Sequence, residues 1–357
     1  MNDVTHSLTS DDVVVVTGAA GFIGSAVVRA LLARGCRVRA LLEPGAVASN
    51  LEGLDVERVV ADITSSAALT RAFEGATACF HLAAKFGFWP RDPASFYAVN
   101  VEGTRNVIAA ALEASVRRIC YTSSVATLGL EVTAKGGLAD ETSYATIDGL
   151  HGNYKHTKYV AEHEVLRMAA EGAPIVLVQP TMPHGPYDHR PTPSGKVVLD
   201  YLSGQMPGFV DTKMNVAHVD DLADGHLAAF ERGRQGRSYI CGGENLTMAE
   251  LLRTLARVTG LPPADRSFPA FLPTSAARVS EFVEGTLLRR PPRVPLEAAQ
   301  MAATAMVFSD QRAREELGYT ARPAALALYD SARWFVDHGY VAQKRVAKLS
   351  WNPPVGA

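Results

Sequence analysis

Tyr154 and Lys158 lie four residues apart in NYKHTKYVAEHEVLRMAA (Asn153–Ala170), a stretch of helical composition, so both side chains leave one helix face a turn apart. An ammonium close to a phenol stabilises phenolate and draws the tyrosine pKa down from about 10 toward neutrality. A phenol tuned in this way can pass a proton to or from an oxygen whose carbon gains or loses a hydride. Ser124, at the mouth of the strand read over Arg118–Thr122, can hydrogen-bond the same oxygen. Tyrosine and lysine at this spacing also occur on ordinary helices. The chemistry therefore requires a fold that brings Ser124 and a hydride carrier beside the pair.

The first third of the chain supplies such a fold. Val13–Val16 is a run of four β-branched residues, suited to a strand buried on both faces. Gly18, Gly21 and Gly24 follow, then a helical stretch over Ser25–Ala33. Strand, glycine turn and helix N-terminus in that order form an anion site, because the backbone can come close to a pyrophosphate and offer it free N–H groups. The spacing G-x-x-G-x-x-G is one residue longer at its front than the common dinucleotide fingerprint. Cys36–Leu42 reads as a second strand ending at Glu43, near the place where a carboxylate takes the adenosine ribose hydroxyls and disfavours a 2′-phosphate. NAD is thus preferred over NADP, although Arg37 and Arg39 on the same strand can meet a phosphate.

Val56–Ala61 is a third strand ending in Asp62-Ile63, whose carboxylate either accepts the adenine amino group or caps the helix that follows from Ser65. Ala78–Leu82 is a fourth, and Ala83 and Ala84 beyond it are small enough for backbone to approach a ligand. Phe86, Phe88 and Trp89 then form an aromatic loop that walls a substrate pocket or covers core. Phe96–Ala114 is a long helical pattern containing Asn100, and Arg118–Thr122 is the fifth strand. Five strand–helix alternations imply an α/β fold with a parallel, doubly wound sheet, in which ligands bind at the carboxyl ends of the strands. Most of the residues singled out lie at those ends.

Composition narrows the classes. At 357 residues, 47% hydrophobic and 20% charged, with net charge −2, the chain can bury a large core and has no basic field for nucleic acid or acidic membrane. The N-terminal segment is polar, and no apolar stretch reaches bilayer length, so a cytoplasmic protein without membrane insertion is expected. Cys36, Cys79, Cys120 and Cys241 are scattered, which suggests buried free thiols rather than a metal site or disulfide framework.

Taken together, TGAAGFIG (Thr17–Gly24), Asp62-Ile63, HLAA (His81–Ala84), YTSS (Tyr121–Ser124), YKHTK (Tyr154–Lys158) and the Pro180/Gly185-Pro186 segment resemble the extended short-chain dehydrogenase/reductases. The likeness runs in order from about Val13 to at least Asp221. Within that family, VNVEGTRN (Val99–Asn106), PTPSGK (Pro191–Lys196), HVDD (His218–Asp221) and GGENLT (Gly242–Thr247) are similar to the dihydroflavonol 4-reductase-like branch and its hopanoid-associated sugar epimerase-like members. The resemblance implies that Tyr154 is the acid/base, that Lys158 holds the nicotinamide ribose and tunes Tyr154, and that Ser124 orients the reacting oxygen. It further implies cofactor contacts from Gly18, Gly21, Phe22, Ile23, Gly24, Glu43, Asp62, Ile63, Ala83, Ala84, Tyr154, Lys158 and Pro180. Asn100 matches a framework asparagine whose place in a proton relay is open.

The same likeness implies a Rossmann-type unit over residues 11–181 and 211–240 and a smaller substrate-binding lobe over 182–210 and 241–345. The termini, 1–10 and 351–357, are expected to be flexible. Phe86, Trp89, Met182, His184 and Tyr187 are the substrate-pocket candidates. Relatives that act on nucleotide sugars usually carry Asn at the place of Met182 and Arg near Met214; a thioether cannot replace a guanidinium on a diphosphate. Lys196 serves either an anionic group or the surface. In the lobe, Thr247 and Glu250 have capping-box spacing at the head of a helix to Gly260, Pro262–Pro295 reads as irregular, and Ala324–Gly339 is amphipathic and helical.

Three functions fit these readings. The first is NAD(P)-dependent reduction of a ketone or aldehyde, or oxidation of a secondary alcohol, in a small apolar or aromatic molecule. The second is an epimerase or dehydratase that uses the same Ser, Tyr and Lys and returns the hydride. The third is a nucleotide-binding regulator without chemistry. The helices around Asn100 and Tyr154 pair across a homodimer in many members of the family. No metal site is expected.

Overall fold

The computed structural model describes residues 6–87, 92–150, 152–269, 271–287, 292 and 295–356. Strand β1 (Val13–Thr17) leads through the glycine turn into α1 (Phe22–Ala33), three residues earlier than expected. β2 (Arg37–Leu42), β3 (Glu57–Val60), α2 (Ser66–Ala72) and β4 (Ala78–His81) follow. The next helix is one continuous rod: α3 (Ala94–Tyr97), a π-helical turn over Ala98–Glu102, and α4 (Gly103–Glu113). After β5 (Arg118–Thr122) and the short α5 (Glu131–Ala134) come α6 (Asn153–Ala170) and β6 (Ile175–Pro180).

The rest of the chain alternates between two bodies. β7 (Met182–His184), α7 (Pro193–Ser203) and β8 (Lys213–His218) precede α8 (Val219–Arg232) and β9 (Ser238–Cys241). Then come β10 (Glu244–Thr247), α9 (Met248–Thr259), α10 (Phe271–Ser280), α11 (Leu296–Ala303), α12 (Gln311–Leu317), α13 (Ala324–Asp337) and α14 (Gln343–Val346).

Seven strands form one parallel sheet in the order β3-β2-β1-β4-β5-β6-β9. Its strands lack polar alternation because both faces are covered. Val14 and Val16, Ala78 and Phe80, and Val176 and Val178 meet α1 and α8 on one side. Val15, Cys79, Ile119, Tyr121, Ile175 and Leu177 meet α2, α4 and α6 on the other. Strand order reverses between β1 and β4, and there the carboxyl ends open a crevice for a ligand.

A second, three-stranded sheet, β10-β8-β7, packs under α7, α9 and α13 to make the lobe. Lys213–His218, expected in the dinucleotide unit, belongs to this lobe sheet, paired in parallel with Met182–His184 and antiparallel with Glu244–Thr247. Conversely Ala313, Leu317 and Tyr319, expected in the lobe, pack into the core of the large sheet. Thr247 and Glu250 form the expected capping box on α9, which ends at Gly260. The Pro262–Pro295 stretch is not irregular throughout. Its described part is helical over Phe271–Ser280, with Pro273 in the first turn, where a missing N–H costs least. PTPSGK starts α7: Thr192 caps the Gly195 amide at 3.2 Å, Pro193 follows, and Lys196 pairs at the surface with Asp200 at 2.7 Å.

The described residues next to each terminus make contacts with the body of the fold. His6 donates its amide to the Glu231 carbonyl, Leu8 is buried, and Arg117 reaches the Ser7 carbonyl. Trp351 lies edge-on to Tyr329 and under Arg333, and Ser350 and Asn352 donate to the carbonyls of Thr259 and Val258. An apolar indole with a neighbouring aromatic face is worth burying.

At the amino end of β1, burial raises the Asp12 carboxyl, but Arg117, the Thr9 amide and the Thr77 hydroxyl outweigh it and hold the group at about 2. A depressed carboxyl stabilises the fold above its unfolded pKa near 4 and loses that contribution as pH falls toward 2. Asp12→Asn should therefore cost about 1–2 kcal/mol at pH 7 in denaturant titrations, with the gap to the parent closing as pH approaches 2.

Candidate active site

Lys158 is 3% exposed, on the inner face of α6 with Thr157, Ala161, Glu162 and Val165. Its Nζ donates to the Thr122 carbonyl at 2.7 Å and to the Tyr121 hydroxyl at 3.1 Å, both at the end of β5. Burial pushes this ammonium down to about 8, and Glu162 one turn along opposes the shift. Tyr154, a turn earlier, is part-buried. Its phenol is raised above the ordinary value by burial and lowered in part by a hydrogen bond with Ser124. The lowering toward neutrality expected from Lys158 is absent, since that side chain is directed at Thr122 and Tyr121. Ser124 caps the 3₁₀ turn Val125–Thr127 and accepts the Ala126 amide at 3.1 Å. The structure thus brings Ser124 and Tyr154 near one another, with Lys158 at the same strand end.

Phe86 joins them: its ring meets Tyr154 edge to face, with centroids 4.7 Å apart. Trp89 lies outside the described residues, as does Phe88. Asn100 explains how the loop is held. Its Oδ1 accepts the Lys85 amide at 2.7 Å, and its Nδ2 donates to the Lys85 carbonyl at 3.0 Å and to Thr157 Oγ1 at 2.9 Å. Asn100 therefore clasps the strand β4 exit loop to α6 between Tyr154 and Lys158. It does so from the π-helical turn, a distortion common at functional sites.

A second polar chain, running through the HLAA segment, fixes the glycine turn. Thr17 Oγ1 accepts the Ala83 amide at 3.1 Å and meets His81 Nδ1 at 2.6 Å, while His81 Nε2 meets Thr104 Oγ1 at 3.0 Å. Thr104 in turn donates to the Asn100 carbonyl at 2.7 Å. His81 is fully buried, with its pKa pushed down to about 3 by burial and by Lys158, so it is a neutral strut.

The residues present fit a dinucleotide. Gly18 takes φ +69° at the end of β1, where a Cβ would stand 2.7 Å from the Ala83 amide. A Cβ on Gly24 would stand 2.0 Å from the Gly18 carbonyl. α1 begins after Gly21 with no side-chain cap and no acidic residue in its first turn, which leaves Phe22 and Ile23 amides free for an anion. Glu43 is exposed at the end of β2, and Pro180 is buried at the end of β6. Asp62 is exposed and accepts the Thr64 amide and hydroxyl, both at 2.8 Å, just ahead of α2. Ile63 is buried, its carbonyl taking Asn106 Nδ2 at 3.1 Å; Ala83 and Ala84 close the β4 exit. Arg37 and Arg39 are not available to a phosphate: Arg37 is bonded to the Asp11 carbonyl, and Arg39 to Glu57 and the carbonyls of Ala72 and Glu74.

The other three described substrate candidates have the following neighbours. Met182 packs on the lobe core with the buried Met214. His184 is 1% exposed and pairs in register with His218; burial and then His218 push it to about 3, and neither ring nitrogen has a partner. Tyr187 sits 3.5 Å over the Arg29 guanidinium of α1 and 6.4 Å from Trp334. Period-two alternation explains the first two, since 182, 184, 214 and 218 all point off one face of the lobe sheet. The four cysteines are buried and free, and the described residues hold no metal-ligating cluster.

A family profile described as NAD dependent epimerase/dehydratase matches residues 14–242. A Synechocystis sp. protein with a provisional dihydroflavonol 4-reductase name is 40% identical over 343 residues, covering 95% of this chain and 99% of its own. Sterol demethylase protein B of Methylococcus capsulatus is 31% identical, covering 92% of this chain and 99% of its own. The crystal structure of gox2253 superposes with TM-score 0.82 at 43% identity, covering 93% of this chain and all of that one.

Proposed function

Since the chain belongs to the NAD dependent epimerase/dehydratase family, we propose that it is an NAD(P)-dependent reductase of a ketone or aldehyde, or the reverse dehydrogenase, acting on an apolar or aromatic small molecule. The observation that carries this reading is the approach of the Ser124 hydroxyl to the Tyr154 phenol, flanked by Phe86 and by the buried Lys158 at the end of β5. A nicotinamide dinucleotide on the glycine turn would supply the hydride chemistry. Ser124 and Tyr154 would hold the substrate oxygen by two hydrogen bonds, and Tyr154 Oη would deliver its proton as the carbonyl becomes an alcohol. The raised phenol suits that direction, because the acid form dominates at neutral pH. Phe86, edge-on to Tyr154, offers an apolar face beside the reacting carbon.

Epimerase or dehydratase chemistry is the second reading, because the same residues can serve an oxidation followed by a reduction. The lobe argues against a nucleotide-sugar substrate, since Met182 and Met214 are part of its apolar core and offer no charge to a diphosphate. Incubation with NADH and a carbonyl panel separates the two: a reductase consumes the cofactor in step with product, and an epimerase does not.

The preferred cofactor is NAD. With Glu43 open at the end of β2 and both strand arginines engaged elsewhere, NADH should bind at least about tenfold tighter than NADPH, and Glu43→Arg should reverse the order in fluorescence titrations. Equal affinities in the parent would remove the role given to Glu43. No helix among the described residues is long and apolar enough to cross a membrane. With four unpaired buried thiols, a reducing compartment is the natural setting, and we place the enzyme in the cytoplasm. Pairing through the Asn100 and Tyr154 helices into a homodimer is tested by sedimentation.

A further inference from the structure

Glu162 is a buried carboxylate with no part in the proton transfer above, yet it is the most heavily bonded side chain near Ser124. Its Oε2 accepts from the Ser123 hydroxyl and from Thr127 Oγ1 at 2.9 Å, and both its oxygens face Gln179 Nε2, at 3.1 and 3.2 Å. Thr127 shares its single proton between Glu162 and the Ser124 carbonyl, which lies 2.8 Å away. Ser123 precedes Ser124 directly, and Thr127 closes the turn that Ser124 caps. One carboxylate therefore ties α6, the end of β5, the 3₁₀ turn and β6 together. It stands one helical turn beyond Lys158 on the same inner face.

We propose that Glu162 is a positioning residue of the reaction, fixing the segment that aims Ser124 and setting a negative charge one helical turn from the buried Lys158. This rests on the Ser124–Tyr154–Lys158 reading given above. Electrostatics support it: burial alone drives the Lys158 ammonium down, and Glu162 is the group that opposes the shift. A buried cation without a partner would lose its proton more readily. The ionisable groups facing the pair are few. Tyr121 on β5, His81 on β4 and Tyr154 on α6 surround Lys158, and His226 on α8 bonds Thr122 Oγ1 at 2.9 Å. Glu162 also borders a cavity of about 210 Å³ whose wall includes Tyr159, His163, Glu141, Arg237 and Arg312. Glu141 accepts the Ile240 amide and faces Arg312, and Arg237 pairs with Glu316, so those charges are already matched.

The test replaces the charge and keeps the shape. Glu162→Gln should lower the Lys158 pKa by about one unit, read from its side-chain carbon resonance in the cofactor-free protein. The basic limb of kcat/KM should move to lower pH by the same interval. Glu162→Asp keeps the charge and shortens the reach, so Lys158 should titrate as in the parent while kcat falls about tenfold. If Glu162→Gln leaves the lysine titration and the basic limb in place and lowers only the melting temperature, Glu162 is structural and the proposal is wrong. If that variant does not fold, Glu162→Asp decides alone, and an unchanged kcat overturns it. Failure of the underlying reading looks different: Tyr154→Phe would then keep turnover, while the lysine titration still reports on Glu162 without substrate.

Discussion

Replacing Tyr154 with phenylalanine should lower kcat by about a thousandfold while the NADH dissociation constant stays within about twofold of the parent. The ring remains, and with it the edge-to-face contact on Phe86 at 4.7 Å, so the loop that Asn100 clasps to α6 keeps its place. What disappears is the hydroxyl, and with it the proton that completes an alcohol. Retained dinucleotide affinity is expected because Lys158, Thr122 and the glycine turn are untouched. The residual rate would come from binding and orientation by Ser124. The pH profile carries a sign as well. Reduction needs Lys158 as an ammonium and Tyr154 protonated, so the reductive kcat/KM should be level near neutrality and fall first as Lys158 loses its proton near 8, with Tyr154 following at higher pH. A variant that bound NADH normally and turned over at the parental rate would dismiss the phenol from the reaction.

Where local chemistry decides a structure, the sequence was readable. Arg118–Thr122 and Asn153–Ala170 have the ends expected of them, because the first is centred on Ile119, Cys120 and Tyr121 and stops at Ser123-Ser124, and α6 has no breaker before Gly172. The glycine turn and the Thr247/Glu250 capping box were equally plain. Pairing between distant segments was not. Nothing within Lys213–His218 tells which sheet it joins, since its neighbours are Met182–His184 and Glu244–Thr247. The docking of Trp351 depends on Tyr329 and Arg333 in the same way. At the site, Tyr154, Lys158 and Ser124 stood out by type and spacing, whereas Glu162 looked like any helix glutamate. Its one legible sign was its place one turn beyond Lys158, on the face that a helix of this register must bury. The surroundings of Met182 and His184 were hidden for the same reason. A motif gives the order of residues along a strand, but which side of the sheet each faces follows from what packs there.

Gly24→Ala should abolish measurable NADH binding, a loss of at least about a hundredfold, and destabilise the protein by about 2–3 kcal/mol. The added methyl would stand 2.0 Å from the Gly18 carbonyl oxygen, 2.9 Å from its carbon and 3.3 Å from Ala19 Cα. All three are backbone atoms of the turn, so no rotamer change can make room. Relief requires α1 to slide away from β1, and Gly18 cannot follow, because it is already packed against the Ala83 amide. Moving the helix start withdraws the amides of its first turn from the place where the pyrophosphate must sit, and affinity falls because those amides are the anion site. Gly21→Ala is the internal control. Its φ of −71° suits alanine and its Cβ would meet only the Gly18 carbonyl, at 3.1 Å, so the fold should tolerate it. Any loss of NADH affinity in that variant then measures how closely the dinucleotide packs on the turn. Fluorescence titration and thermal unfolding of the two variants side by side separate these effects. If Gly24→Ala binds NADH as the parent does, the dinucleotide does not lie on this turn, and the crevice between β1 and β4 has another use.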